Sequence, residues 1–149
     1  MSEGPQTVDI ASLPPQALEN ILRQTEQEAS IIRSSIVQLK SAQARFRQSR
    51  DALEHSNNVP VGSPLLVPLT ESLYVSGRTR DPSKVLLEIG TGYFTERTLE
   101  EAKSYFNRRI KYLDGRLKEL SEAFEQKKQL SSVTLSLLER HKTNAPQQQ

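Results

Sequence analysis

The sequence contains no cysteine and no tryptophan, and aromatic residues make up only 5% of it. Without cysteine there is no disulfide framework, no thiolate nucleophile and no Cys-rich zinc site. With 35% apolar residues in a chain of 149, there is little material for a thick globular core. No apolar run approaches the roughly 20 residues that span a bilayer, and Met1 to Ile10 lacks a basic segment followed by an apolar one. The N-x-Ser/Thr acceptor pattern is also missing. These absences set the expectation of a cytoplasmic protein, with the nucleus equally accessible, that uses no membrane.

What the chain does have is charge, 26% of all residues with a net of +2, which suits long solvated helices. Proline and glycine concentrate near the start, in the middle and at the end, so the two flanks are free to be helical. Ser12-Leu13-Pro14-Pro15 reads as a helix start, because proline lacks the N–H that would be unpaired in a first turn. With Leu18 at heptad position d, alternating steps of four and three reach Leu22, Thr25, Ala29, Ile32, Ile36, Leu39, Gln43, Phe46, Arg50 and Leu53. All but Thr25, Gln43 and Arg50 are apolar, which is the pattern of a coiled-coil seam. About 40 residues at this pitch span roughly 60 Å, too long for a helix lying on a small core.

The second helix opens with a capping-box pattern, Thr98 followed by Glu101. From Phe106 the same steps give Ile110, Leu113, Leu117, Leu120 and Phe124 without a miss. Between the helices, Leu65 to Leu69, Leu73 to Val75, Val85 to Ile89 and Tyr93 to Thr95 are short β-favouring runs separated by turn residues. They read as two hairpins, with Gly90-Thr91-Gly92 as the second reversal and Ser76-Gly77 and Asp81-Pro82-Ser83 bounding a longer connection. Pro68 places the first strand at an edge or a bulge.

The expected fold class is therefore α+β, mainly α: a long antiparallel coiled-coil helical hairpin with two β-hairpins at its base. A flexible N-terminus over 1–12 precedes the first helix over 13–56, the hairpins fill 57–97, the second helix runs over 98–142, and a disordered tail takes 143–149. Runs such as Leu65-Leu66-Val67 are apolar on both faces, and four strands of about five residues cannot bury themselves alone. They require strands from other subunits, since exposed apolar edges otherwise pair with any available chain.

The motifs Leu66-Val67-Pro68-Leu69-Thr70, Ser72-Leu73-Tyr74-Val75 with Gly77, and Ile89-Gly90-Thr91-Gly92-Tyr93-Phe94 followed by Glu96 and Thr98 resemble the α-class prefoldin subunits, which have two β-hairpins where the β-class has one. The likeness covers Leu13 to Leu138; Ser76 departs from it, where proline is the usual residue before the glycine. The resemblance implies a heterohexamer with one further α-class and four β-class chains, whose hairpins join a multi-subunit β-barrel. It also implies ATP-independent holding of non-native clients, actin and tubulin among them, and transfer to the cytosolic group II chaperonin, with no catalysis and no cofactor.

On that reading the assembly residues are Leu65, Leu66, Val67 and Leu69 in the first strand region, and Leu73, Tyr74 and Val75 in the second. Val85, Leu86, Leu87 and Ile89 in the third and Tyr93 and Phe94 in the fourth complete them. At the far end of the coiled coil the seam meets Lys127, Ser131 and Thr134, while Leu130, Val133, Leu135, Leu137 and Leu138 spread over several faces. Two readings stand. These residues, with Leu13, Leu18, Ile21 and Leu22, form an apolar tip for clients; or a register slip makes Leu130, Val133 and Leu137 a new seam against Leu18 and Leu22.

Other patterns carry less. Arg33, Lys40, Arg45, Arg47 and Arg50 form a basic stretch without an acidic residue, but aromatic interleaving is lacking, so a solvated helix face explains it better than nucleic acid. Gly90-x-Gly92 lacks the third glycine of a dinucleotide loop, and His55 and His141 lie near opposite ends of the helical hairpin with no third ligand to complete a metal set. A plain coiled-coil scaffold has no need of the four-strand insert, and a nucleic-acid-associated regulatory subunit would have to use the basic stretch.

Overall fold

The computed structural model describes residues 9–144. A 3-10 turn over Ile10–Ser12 leads into α1, Pro15–Ser56; then come β1, Pro64–Pro68, β2, Tyr74–Arg78, β3, Lys84–Gly90, β4, Tyr93–Thr98, and α2, Leu99–Asn144. Most of the N-terminus expected to be flexible, and most of the tail, lie outside the described residues. Within them, Asp9 accepts a hydrogen bond from the Ala11 N–H (3.0 Å) and orders the 3-10 turn, while Thr143 and Asn144 continue α2. Two compact units are present, one of Lys40–Gly115 and one formed by the remaining described residues.

In the first of these, the end of α1 and the start of α2 run antiparallel. Gln43 donates through its amide to the Asp114 carboxylate (2.6 Å) and to the Ile110 carbonyl (3.4 Å), Phe46 meets Phe106 with ring centroids 6.1 Å apart, and Lys103 pairs with Glu54 (2.9 Å). Ala102, Ile110 and Leu113 are buried. α2 starts where the sequence pattern places it. The Thr98 N–H donates to Glu101 (3.0 Å) and the Glu101 N–H donates to the Thr98 hydroxyl (3.3 Å), so two of the otherwise unpaired donors of the helix start are satisfied.

The two hairpins form separate two-stranded antiparallel sheets, β1 with β2 and β3 with β4. Pro68 closes β1 opposite Tyr74, where its missing N–H interrupts no ladder. Ser76 and Gly77 differ from expectation: they lie inside β2, opposite Leu66 and Leu65, and not in a connection. Gly77 has no left-handed φ, whereas Gly92, at φ 78°, makes the turn between β3 and β4. A register shift between Glu88 and Gly90 leaves Ile89 as the extra residue of a bulge.

In the second unit, Leu18 and Thr25 of α1 and Thr134 and Leu138 of α2 are buried, and Lys127 pairs with Glu28. The steps of four and three on α2 therefore continue unbroken through Lys127, Ser131, Thr134 and Leu138, each buried or half-buried. The register slip does not occur, and Val133, which it would have buried, is 52% exposed. Local partners make the unbroken register affordable: the Thr134 hydroxyl donates to the Leu130 carbonyl (2.8 Å), and the Lys127 ammonium has its carboxylate.

Candidate assembly surface

Hairpin β1–β2 has apolar side chains on both faces. Leu65 and Val67, opposite Gly77 and Val75, share one face; Leu66 and Pro68, opposite Ser76 and Tyr74, share the other. Leu65, Leu66, Val67, Leu69, Leu73, Tyr74 and Val75 are all exposed, Leu66 at 67%. The apolar surface reaches back to Val59 and Val61, both exposed, which the strand pattern missed and which the run Val59-Pro60-Val61 signals in the sequence.

Hairpin β3–β4 is built differently because its two faces differ. Leu87 is only 6% exposed and lines, with Arg97, Glu101 and Tyr105, a cleft against the first turns of α2; Val85, on the same face, is half-buried. Leu87 thus leaves the set of residues open to other chains: it anchors the hairpin within its own chain. The alternation of strand side chains sends Leu86 and Phe94 the other way, and Leu86 is 69% exposed. Ile89, at the bulge, and Tyr93, at the turn, are also exposed, Tyr93 at 75%.

The charged groups rim this outward face. Lys84 donates to Glu96 across the strands (2.9 Å), and that hydrogen bond, with the carboxylate's charge, raises the Lys84 pKa. Glu88 accepts from the Gly92 N–H (3.1 Å) and helps close the turn. At the connection between hairpins, Asp81 accepts from the Ser83 hydroxyl (2.6 Å) and N–H (3.0 Å), which lowers its pKa. With only two strands in each sheet, every strand has one edge unpaired among the described residues. Such a surface can add strands and bury apolar faces.

The residues proposed for the tip fall into three groups. Leu18 and Leu138 are buried in the seam, so they are not open surface; Leu13, Ile21, Leu22, Leu130 and Leu137 are half-buried; Val133 and Leu135 are exposed. Among the described residues no group of three or more His, Cys, Asp or Glu side chains could hold a metal, and no helix is long and apolar enough to cross a membrane.

Comparison with known proteins gives a consistent result. The family model described as Prefoldin subunit matches residues 25–141. Prefoldin subunit 5 of Homo sapiens is 35% identical over 89% of this chain and 86% of its own length. The probable prefoldin subunit 5 of Schizosaccharomyces pombe is 37% identical over 85% of this chain and 84% of its own. Among solved structures, the filamentous PFD of Methanocaldococcus jannaschii shares the fold, with a TM-score of 0.70 at 23% identity, covering 79% of this chain and 98% of that one.

Proposed function

Because this chain belongs to the prefoldin subunit family, we propose that it acts as an α-class subunit of a heterohexameric co-chaperone. It pools its hairpins with those of one further α-class and four β-class subunits in a shared β-barrel. It holds non-native chains, actin and tubulin among them, at the distal end of its coiled coil without ATP, and passes them to the cytosolic group II chaperonin. It catalyses no reaction, and it works in the cytoplasm, with the nucleus open to it.

The observation that carries this reading is the exposure of apolar side chains on both faces of β1–β2 and on the outward face of β3–β4. Fully covering a leucine, valine or phenylalanine contributes about 1.5–3 kcal/mol, so leaving this many in water favours association with other strands. Two hairpins, and not one, support the α-class assignment. The test is the mass of the complex recovered when the chain is co-expressed with α- and β-class partners. A six-chain assembly containing two α-class members is the expected result; a stable free monomer or a simple homodimer would overturn the shared-barrel reading.

A further inference from the structure

The two hairpins are joined by a stretch that belongs to neither. The first hairpin's last backbone pairing is at Thr79, whose N–H donates to the Ser63 carbonyl (2.9 Å) and whose carbonyl accepts from Gly62 (2.7 Å); β3 begins at Lys84. Among the described residues, Arg80 to Ser83 make one backbone–backbone hydrogen bond, in which the Ser83 carbonyl accepts from the Leu99 N–H (3.1 Å). Arg80, Asp81 and Ser83 are exposed, and Pro82 is half-buried. The Ser83 hydroxyl donates to the Asp81 carboxylate (2.6 Å) at the surface. Thr79-Arg80-Asp81-Pro82-Ser83 has no large apolar side chain, so, unlike the strand faces beside it, it holds nothing that a partner strand must cover.

Upstream of this hydroxyl stand two arginines, Arg80 at the third position before Ser83 and Arg78 at the fifth. Both are exposed. Arg80 makes no ion pair among the described residues, and the Arg78 guanidinium donates to the Gly62 carbonyl (3.1 Å), a single surface contact open to exchange. Arginine-directed kinases take each guanidinium on carboxylates, in a two-pronged pair that fixes spacing as well as charge, and they bind the acceptor segment extended. Arg78 is already extended at the end of β2, and no ladder has to be dismantled between Arg80 and Ser83. Other kinase classes fit less well. A proline-directed enzyme needs proline after the acceptor, but Pro82 precedes it; an acid-directed one needs carboxylates after it, but Lys84-Val85-Leu86 follow. Ser49 and Thr143 also follow arginines, but they lie inside α1 and α2, where an extended segment requires unwinding the helix.

We propose that Ser83 is a phosphorylation site for an arginine-directed serine kinase, which holds Arg78 and Arg80 and modifies the exposed hydroxyl between the hairpins. The Ser83 Oγ attacks the γ-phosphorus of the kinase's ATP. A new O–P bond forms, the bond from that phosphorus to the β,γ-bridging oxygen breaks, ADP leaves, and the hydroxyl proton passes to the kinase's catalytic aspartate. The product carries about −1.5 to −2 charges near neutral pH and has lost the O–H that Asp81 accepts. A turn closed by a hydrogen bond between two side chains thus becomes one in which two anions repel. The proposal goes beyond subunit assembly and concerns a segment outside the strand faces that assembly uses.

The test uses the full chain in its co-expressed assembly, incubated with magnesium, ATP and purified protein kinase B as the arginine-directed enzyme. Modified residues are located by tandem mass spectrometry. The expected result is phosphate on Ser83 of the folded chain, with the initial rate at limiting substrate lowered at least about tenfold in Arg78→Gln and in Arg80→Gln. Arg80→Lys, which keeps the charge and removes the fork, should also be slower, and it carries the comparison if a glutamine variant fails to assemble. An acid-directed kinase should leave Ser83 unmodified. Phosphate on Ser83 only after the chain is unfolded would overturn the proposal, as would equal rates for the unchanged and arginine-substituted assemblies or equal modification by the acid-directed enzyme.

Discussion

Leu86 and Leu87 are neighbours in sequence and opposites in environment, which makes them a sharp test of how β3–β4 is used. Leu86 is 69% exposed and Leu87 6% exposed. If partner strands cover Leu86, assembly gains about two-thirds of the roughly 1.5–3 kcal/mol of a full leucine burial, so Leu86→Ala should cost about 1–2 kcal/mol of assembly. That is a factor of about 5–30 in the equilibrium. Leu87→Ala instead removes a side chain packed within the chain, at about 2–5 kcal/mol of local stability, toward the lower end because the site opens onto a cleft. The assays are subunit dissociation on dilution, followed by mass, and amide exchange of hairpin β3–β4 in the concentrated, fully assembled state. Leu86→Ala should shift dissociation while the amides of the assembled hairpin stay protected. Leu87→Ala should speed their exchange by about 30-fold or more. Equal behaviour of the two variants, or faster exchange in Leu86→Ala alone, would refute the assignment of faces.

Leu135→Ser should reduce suppression of client aggregation while leaving coiled-coil helicity unchanged, since Leu135 is 48% exposed; Leu138→Ser, a buried position, should instead lower helicity or the melting temperature. Unchanged holding by Leu135→Ser would remove that side chain from the client surface. The Glu101 carboxyl is held below its ordinary pKa, mainly by the Thr98 N–H and further by the Thr98 hydroxyl and Arg97. A lowered folded-state pKa means the capping contact stabilises fully above the unfolded value and is lost as pH falls through the folded one. Amide protection in the first turn of α2 should therefore be flat near neutrality and fall in acid, and Glu101→Gln should flatten that acid dependence; an unchanged acid profile in the variant would show that another group controls it.

The helices were legible because their signals are geometric. Every heptad position read on α1, from Leu18 to Leu53, is buried or half-buried, including Thr25, Gln43 and Arg50. Gln43 belongs there because its amide reaches Asp114 and a backbone carbonyl, a partnership that hydropathy cannot reveal. The Thr98 and Glu101 pair located the start of α2 for the same reason: a cap depends on two side chains at fixed spacing. The strands were less legible. Ser76-Gly77 carries turn-favouring residues, yet the ladder continues through them, because cross-strand pairing with Leu65 and Leu66 outweighs the local preference.

The distal seam is ambiguous in the sequence for a related reason. If only apolar residues count as seam-formers, Leu130, Val133 and Leu137 compete for the seam with Lys127, Ser131 and Thr134. A polar side chain can occupy such a position when its polar atom is satisfied nearby, as Thr134 is by the Leu130 carbonyl and Lys127 by Glu28. The cost is smaller apolar burial per layer: Thr25, Ser131 and Thr134 contribute less than Ile110, Leu113 and Phe106 do in the other unit. One of the two readings of the far leucines is thereby closed: the register runs on unbroken through Thr134 and Leu138, which leaves Leu130 and Leu137 half-buried beside it and Val133 and Leu135 exposed.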